Sequence, residues 1–541
     1  MTVRRPVAAL LAPLLAFASI LPAGAQTPLP RIETHDGRHT LFVDGAPFLM
    51  LGAQANNSSN YPAVLPQVWP TLDRLHANTL EMPVAWEQIE PEEGRFDFGW
   101  VDTLLDGART HGKRLVLLWF GTWKNTGASY APAWVRTDHA RFPRMARPDG
   151  KTSVTLSPHA ETTLAADSRA FAALMRHLKT ADPDHRVIMV QVENETGVYN
   201  QKRDLSAAAD KAFQGAVPAP LARRVGRSGS WAQVFGPLAD TAFNAWATAC
   251  YVDRVAAAGQ AELALPMYVN AAIGDPFAAP GTGGGASGGP DMQVIDIWKT
   301  AAPHIALLAP DIYNRNGTTV LAVLDRYARP DNALLVPEIG NAADYARFLW
   351  AALGKGAIGF APFGMDETGY VNYPLGAKVL DEATLAAFAE PYRLMAPIAG
   401  AWARLAGMHP TWGTAKGHDD TAQSGTLGAW KITAHYGLWS FGEPEWTHLS
   451  ADPAPGVGRP VGGVAAIQLD PNRFMIAGSD VRVRFGRVDG RESELLRVEE
   501  GTLAPDGTWR TSRIWNGDQI DYGLNLTHPT LLRVTLWTGK N

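Results

Sequence analysis

Two stretches of the chain place carboxylates where an apolar strand stops. The run VIMVQVENE, residues 187 to 195, closes on Glu193, Asn194 and Glu195, and ALLVPEIG, residues 333 to 340, carries Glu338 near its end. Polar groups in such positions are costly unless they are paired, hydrogen-bonded or used. Strand alternation puts Glu193 and Glu195 on one side and Asn194 on the other. Two carboxyl groups about 5–5.5 Å apart can act as acid/base and nucleophile, the pair that glycoside hydrolysis with retention requires. Each glutamate alone is equally well explained as a salt-bridged structural residue; their joint placement favours chemistry.

That pairing depends on the elements that carry it. From about residue 45 to about 365, eight short apolar runs alternate with segments of helical periodicity: 47–54, 78–86, 114–121, 187–195, 264–272, 305–313, 333–340 and 357–364. The pattern predicts an α/β fold, a (β/α)₈ TIM barrel whose active site lies at the C-terminal ends of the strands. Runs four and seven then face each other across its mouth. Beyond about residue 400, short alternating strands are separated by turns such as Asp470-Pro471-Asn472 and Pro505-Asp506-Gly507, which predicts a C-terminal antiparallel β-sandwich. The expected division is a signal peptide over 1–25, a catalytic barrel over 26–398 and an accessory sandwich over 399–541. Long connections at 122–186 and 196–263 are expected to wall the mouth. The glycine-rich stretch 281–290 is expected to be mobile unless something packs on it.

Composition narrows the classes of function. Of 541 residues, 46% are hydrophobic and 19% charged, which suits large cores and excludes disorder as the main state. A net charge of −5 without a basic stripe excludes nucleic acid as a partner. Cys250 is the only cysteine, so the chain alone forms no disulfide and no cysteine-based metal cage. The histidines show no ligand spacing, and no metal or cofactor is expected. Arg4 and Arg5, the apolar run Val7 to Leu21 and Ala23-Gly24-Ala25 read as an export signal, with a periplasmic or secreted protein free of the membrane after cleavage. Within the glycine-rich stretch, formal matches to a dinucleotide fingerprint and a nucleophile elbow lack the helix that would confirm them.

Aromatic side chains supply further candidates. Trp86, Trp119, Trp123 and Tyr313 lie at or just past strand ends, where a ring can stack on a sugar or belong to the core. The Tyr313 hydroxyl is placed to orient Glu338. Glu87 could hold a sugar hydroxyl or be a solvated charge, as could Asp366 and Glu367 after run eight.

The segment VQVENETG resembles the QVENEYG motif of the family-35 glycoside hydrolases, and Asn78-Thr79, Trp86 and Glu90-Pro91-x-x-Gly94-x-Phe96-Asp97-Phe98 resemble that family's NT…W…EP.PG.FDF segment. The resemblance spans roughly 35 to 398. It implies a retaining β-galactosidase in which Glu195 is the acid/base, Glu338 the nucleophile and Asn194 a partner of the sugar 2-hydroxyl, with Glu193 structural. Thr196, Pro83 and the segment Leu118 to Trp123 depart from the family and resemble a bacterial subgroup that includes enzymes acting on xyloglucan side chains. The expected partner is an oligosaccharide with terminal β-galactose. A β-glucosidase or β-mannosidase, or a carbohydrate-binding protein without catalysis, are the alternatives.

Overall fold

In the computed structural model, which describes residues 27–444 and 452–539, the eight apolar runs become the eight parallel strands of a closed barrel. These are β1 (Met50–Gln54), β2 (Thr79–Ala85), β3 (Arg114–Phe120), β4 (Val187–Val192), β5 (Met267–Ala272), β6 (Leu307–Ile312), β7 (Leu335–Ile339) and β8 (Gly359–Pro362). The ring closes where β8 pairs with β1, Gly359 against Met50. Every strand is buried almost throughout, because helices cover its outer face and side chains fill the interior, so the strands read as apolar runs rather than alternating ones. A three-stranded antiparallel sheet, Arg31–His35, Arg38–Val43 and Ala46–Phe48, precedes the barrel. Its Leu41 and Val43 join Met50, Val116, Ile188 and Leu335 in one buried cluster that plugs the end of the barrel opposite the carboxylates. The proposed export signal lies outside the described residues.

The loops are more ordered than their composition suggests. The 196–263 connection contains the helix Ala239–Gln260, which packs along the helix Glu161–Ala181. The glycine-rich stretch is pinned where Ser287 exchanges backbone hydrogen bonds with Val198, and Asn244 Nδ2 donates to the Ser287 carbonyl at 2.8 Å. Gly197 and Gly288 sit at positive φ there, and a Cβ on Gly197 would lie 2.5 Å from the Ser287 carbonyl oxygen.

The C-terminal region is the expected sandwich. Its six-stranded antiparallel sheet contains Thr411–Ala415, Gly463–Asp470, Arg473–Ser479, Thr530–Thr538, Ser493–Leu503 and Trp509–Trp515 in that spatial order. A four-stranded sheet, Gln423–Leu427, Trp430–His435, Val481–Arg487 and Leu524–Leu526, faces it. Trp430, Ile432 and Val483 from one sheet meet Val464, Phe474, Ile476 and Val534 from the other in a separate core. Among the described residues no helix is long and apolar enough to cross a membrane.

Barrel and sandwich meet without slack. Trp350, on the helix Phe348–Gly354 between β7 and β8, donates to Ser479 Oγ at 3.1 Å. The buried Arg347 guanidinium donates to the carbonyls of Lys416, Pro460 and Arg315. Gly354 closes the helix against Gly413, where a Cβ would stand 2.2 Å from the Gly413 Cα. Gly354→Ala is therefore expected to destabilise the protein by about 1–3 kcal/mol or more, since backbone rather than a flexible side chain must yield. Denaturant unfolding measures this, and an unchanged midpoint would show that the two domains do not depend on close contact here.

Candidate active site

The parallel ring sets the carboxylates face to face. Asp311 on β6 and Glu338 on β7 are register partners, and Glu195 follows β4 on the opposite wall. One carboxyl oxygen from each of the three lies within 4.8 Å of the others. Among the described residues this is the one group of three acidic, histidine or cysteine side chains compact enough to share a cation. All three line a cavity of about 750 Å³ at the mouth of the barrel, together with Lys124, Tyr313 and loop residues.

Glu338 is held on both oxygens. Tyr313 donates its hydroxyl to Oε1, and Gln54 on β1 donates Nε2 to Oε2 at 3.1 Å. Glu195 is half-buried, and its carboxyl faces the cavity. Burial, and then the negative charge of Glu338, raise its pKa to about 7, against the opposing pull of Lys124 and a hydrogen bond with Asp311. One carboxyl is thus fixed by two donors while another sits protonated near neutral pH, the difference that nucleophile and acid need.

Strand alternation fails at the end of β4. Glu193 and Glu195 both have left-handed backbones, φ 65° and 44°, so the chain coils after Val192 and the two side chains part company. Glu193 turns into the wall, accepts the Trp123 backbone N–H at 2.7 Å and lies against Asp167. Burial first, and Asp167 second, push its pKa well above the carboxylate range. Asn194 is fully buried and does not line the cavity; its Oδ1 accepts from Lys124 Nζ at 2.9 Å, and its Nδ2 has no acceptor.

The tryptophans occupy other places than expected. Trp86, Trp119 and Trp123 are all buried and none lines the cavity. Trp86 Nε1 donates to Glu90 at 2.9 Å, and the same buried carboxylate takes the Gly94 N–H and the Arg169 guanidinium. The EP.PG segment is therefore a structural clasp. Trp119 donates to Asp167 at 2.9 Å from the outer face of β3, and Trp123 contributes its backbone to Glu193 and Asn194. Glu87 is half-buried away from the cavity. Asp366 accepts from Asn56, Ser59 and Thr368, which ties the loop after β8 to that after β1. Tyr313 alone of the four aromatic candidates reaches the cavity.

Residues that sequence reasoning passed over complete the site. Asp311 lies two positions before Tyr313, an acid inside an apolar strand and hence the same signal that marked Glu338. Asn270 on β5 accepts the Glu195 backbone N–H at 2.9 Å and donates to Asp311 at 2.7 Å. Glu81 on β2 lies in the barrel interior, bonded by the Tyr268 hydroxyl. At the rim, Tyr199, Phe277 and Tyr370 line the cavity from the loops after β4, β5 and β8, and the last two are 62% and 63% exposed. No pattern marks them, because their placement is set by loop conformation.

With this geometry in place, comparison with known proteins gives matches to parts of the chain. Residues 68–250 match the family model of glycoside hydrolase family 42, described as beta-galactosidase. The matched residues lie within the barrel and cover part of it. The match corrects the family-35 reading, which is not supported; the two families share a clan, and so the short motifs overlap. Residues 388–527 match a domain of unknown function, DUF5597. A beta-galactosidase of Arthrobacter sp. is 29% identical over 146 residues, 25% of this chain and 20% of its own length, so the chain spans one fifth of that relative. Solved structures that are similar include beta-galactosidases from Rahnella sp. R3 (TM-score 0.47, 16% identity, 67% of this chain and 60% of that one) and Bacillus circulans (0.48, 13%, 65% and 57%).

The site carries a stability cost that depends on pH. Glu195 rises from 4.5 to about 7 on folding, so between those values the folded state binds more protons than the unfolded one, and stability falls as pH rises. Its contribution is fully present below 4.5 and lost through about 7. Glu195→Gln, which keeps the neutral shape, should flatten the melting temperature across that window and raise it above pH 7. An equally steep decline in the variant would place the lost protons elsewhere.

Proposed function

We propose that the protein is a retaining exo-β-galactosidase that removes terminal non-reducing β-D-galactose from oligosaccharides, with galactose-terminated side chains of plant xyloglucan as its substrate. The observation that carries this reading is the placement of Glu195 and Glu338 with carboxyl oxygens within 4.8 Å across the cavity, close enough for double displacement and too close for the water that inversion needs between them. In the first step Glu338 attacks the anomeric carbon while Glu195 gives its proton to the leaving oxygen. In the second, Glu195 takes a proton from water, which displaces Glu338. Asn194, which the resemblance pairs with the sugar 2-hydroxyl, is buried behind the cavity wall and bears on the site by accepting from Lys124.

The cavity's charge and size support a neutral, extended substrate. Among the described residues it is lined by Asp275, Asp311, Glu195 and Glu338 against Lys124 as the one cation, which disfavours an acidic sugar. Its volume exceeds what a single sugar ring fills, and exposed Phe277 and Tyr370 offer faces for the rings that follow. The leader pattern supports export to the periplasm or the medium.

Hydrolysis of aryl β-galactoside, β-glucoside and β-mannoside tests the reading. Galactoside turnover should vanish in Glu338→Ala and return with azide as an α-galactosyl azide, and Glu195→Gln should cost about 10²–10⁴-fold in kcat on poor leaving groups. Activity should fall as pH rises through about 7, where Glu195 loses its proton. Rescue with a glucoside or mannoside instead would reassign the sugar. For the aglycone, Phe277→Ala with Tyr370→Ala should raise KM on a galactosylated xyloglucan fragment roughly five- to tenfold, about 1 kcal/mol, while the aryl galactoside is unaffected. Equal effects on both would remove the rim from substrate recognition.

A further inference from the structure

A two-carboxylate mechanism leaves the third carboxyl without a task, and its surroundings assign one. Asp311 Oδ2 accepts the Asn270 amide at 2.7 Å, and the orientation of that amide is fixed because its oxygen takes the Glu195 backbone N–H. Asp311 Oδ1 is buried and meets no N–H or O–H donor among the described residues. The carboxyl of Glu195 lies beside Asp311, with one oxygen of each within 4.8 Å of the other. Two carboxylate oxygens are both acceptors, so a hydrogen bond between them requires a proton on one.

We propose that Asp311 is kept as the neutral acid and donates its proton in a hydrogen bond to Glu195, as the positioning residue of the acid/base. This rests on the retaining-glycosidase reading for its consequence, though not for its geometry. Asp311 is 3% exposed and has no cation in contact among the described residues, whereas Glu195 is only half-buried. The charged groups that face Asp311 are Glu338 on β7, Glu195 after β4, Glu81 on β2 and Lys124 after β3; three of these four disfavour its ionisation. The surrounding phenols Tyr199, Tyr268, Tyr313 and Tyr327 are all raised by burial and stay neutral. Burial and the two facing glutamates push Asp311 well above the carboxylate range. Asp311 is the more deeply buried of the two and has the oxygen that no donor reaches, so the proton is placed on it.

In the reaction the Asp311 proton stays where it is. When Glu338 bonds to the anomeric carbon and the glycosidic bond breaks, the leaving oxygen takes the proton of Glu195, whose new carboxylate is stabilised by the Asp311 O–H. When water attacks and the Glu338 ester breaks, the water's proton returns to Glu195. The same donor serves both steps, strongest where Glu195 is charged.

The test compares Asp311→Ala with Asp311→Asn. An asparagine at this position can accept from Asn270 and donate to Glu195, and so replaces a neutral acid but not an anion. Asp311→Ala should lose about 10²–10³-fold in kcat with little change in KM, the cost of one donor to a developing charge, and its basic limb should move above 7. Asp311→Asn should recover most of that kcat and keep the wild-type basic limb. A basic limb that moves down in Asp311→Asn would mean that an anion had been removed, and would overturn the proposal. Infrared difference spectra of wild type minus Asp311→Asn, taken above pH 7, check the proton without turnover and without the alanine variant. A carboxylic-acid C=O band lost in the variant is expected, and loss of carboxylate bands alone overturns the assignment. If the acid band is lost but the wild type cleaves no β-glycoside, the proton stands and the retaining-glycosidase reading falls.

Discussion

Too many carboxyl groups in too little water is the constraint that organises this site. Glu195, Asp311 and Glu338 bring oxygens within 4.8 Å of one another, with Glu81 buried beneath them, and Lys124 is the cation among them. Three like charges at that distance in a poorly screened cavity cannot coexist, so protons become part of the structure. The same arrangement recurs behind the wall, where Glu193 and Asp167 lie together with donors from Trp119, Thr122, Trp123 and Tyr251 around them.

The fold positions these groups through its separation of strands from loops. Strand residues cannot shift without shifting their neighbours, and Gln54, Asn270, Asp311 and Glu338 all lie on strands. Glu195 lies just past one, where the backbone goes left-handed, and the bonds that hold it there run from its N–H to Asn270 and from Thr126 N–H to its carbonyl. Strain of that kind persists only where the surroundings impose it, and here the imposing residue, Asn270, is itself bonded to Asp311. Backbone geometry and proton placement are therefore one network.

Much of the barrel was legible in the sequence because buried parallel strands leave unbroken apolar runs, and an acid at the end of such a run has few bland explanations. Glu195 and Glu338 stood out on that ground, and the clan resemblance followed from their neighbours. Asp311 carries the same signal, two positions before Tyr313 in the same apolar strand. The tryptophans misled because a strand end has two faces. Trp86 and Trp119 turn to the helices, and a one-dimensional reading sees only that they are near the mouth. The rim aromatics were illegible for another reason: Tyr199, Phe277 and Tyr370 come from three loops, and nothing local says that the loops converge. The segment that matches family 42 rather than 35 is a long one, and short motifs shared across the clan cannot separate the two.

In the proposed mechanism the division of labour between Glu195 and Glu338 follows from how each is tethered. A nucleophile must stay charged and in line with one carbon, and Glu338 has a donor on each oxygen and a rigid strand under it. An acid/base must exchange its proton with two different oxygens, first of the leaving group and then of water, and so cannot have both of its oxygens committed. Glu195 accordingly faces the cavity and bonds through its backbone, and its carboxyl meets the protein through Asp311. Had Asp311 been a fixed cation such as arginine, Glu195 would be held as a permanent anion and could not serve as an acid. A neutral donor gives less stabilisation but leaves the proton free to move, which is the compromise that a group working in both directions requires.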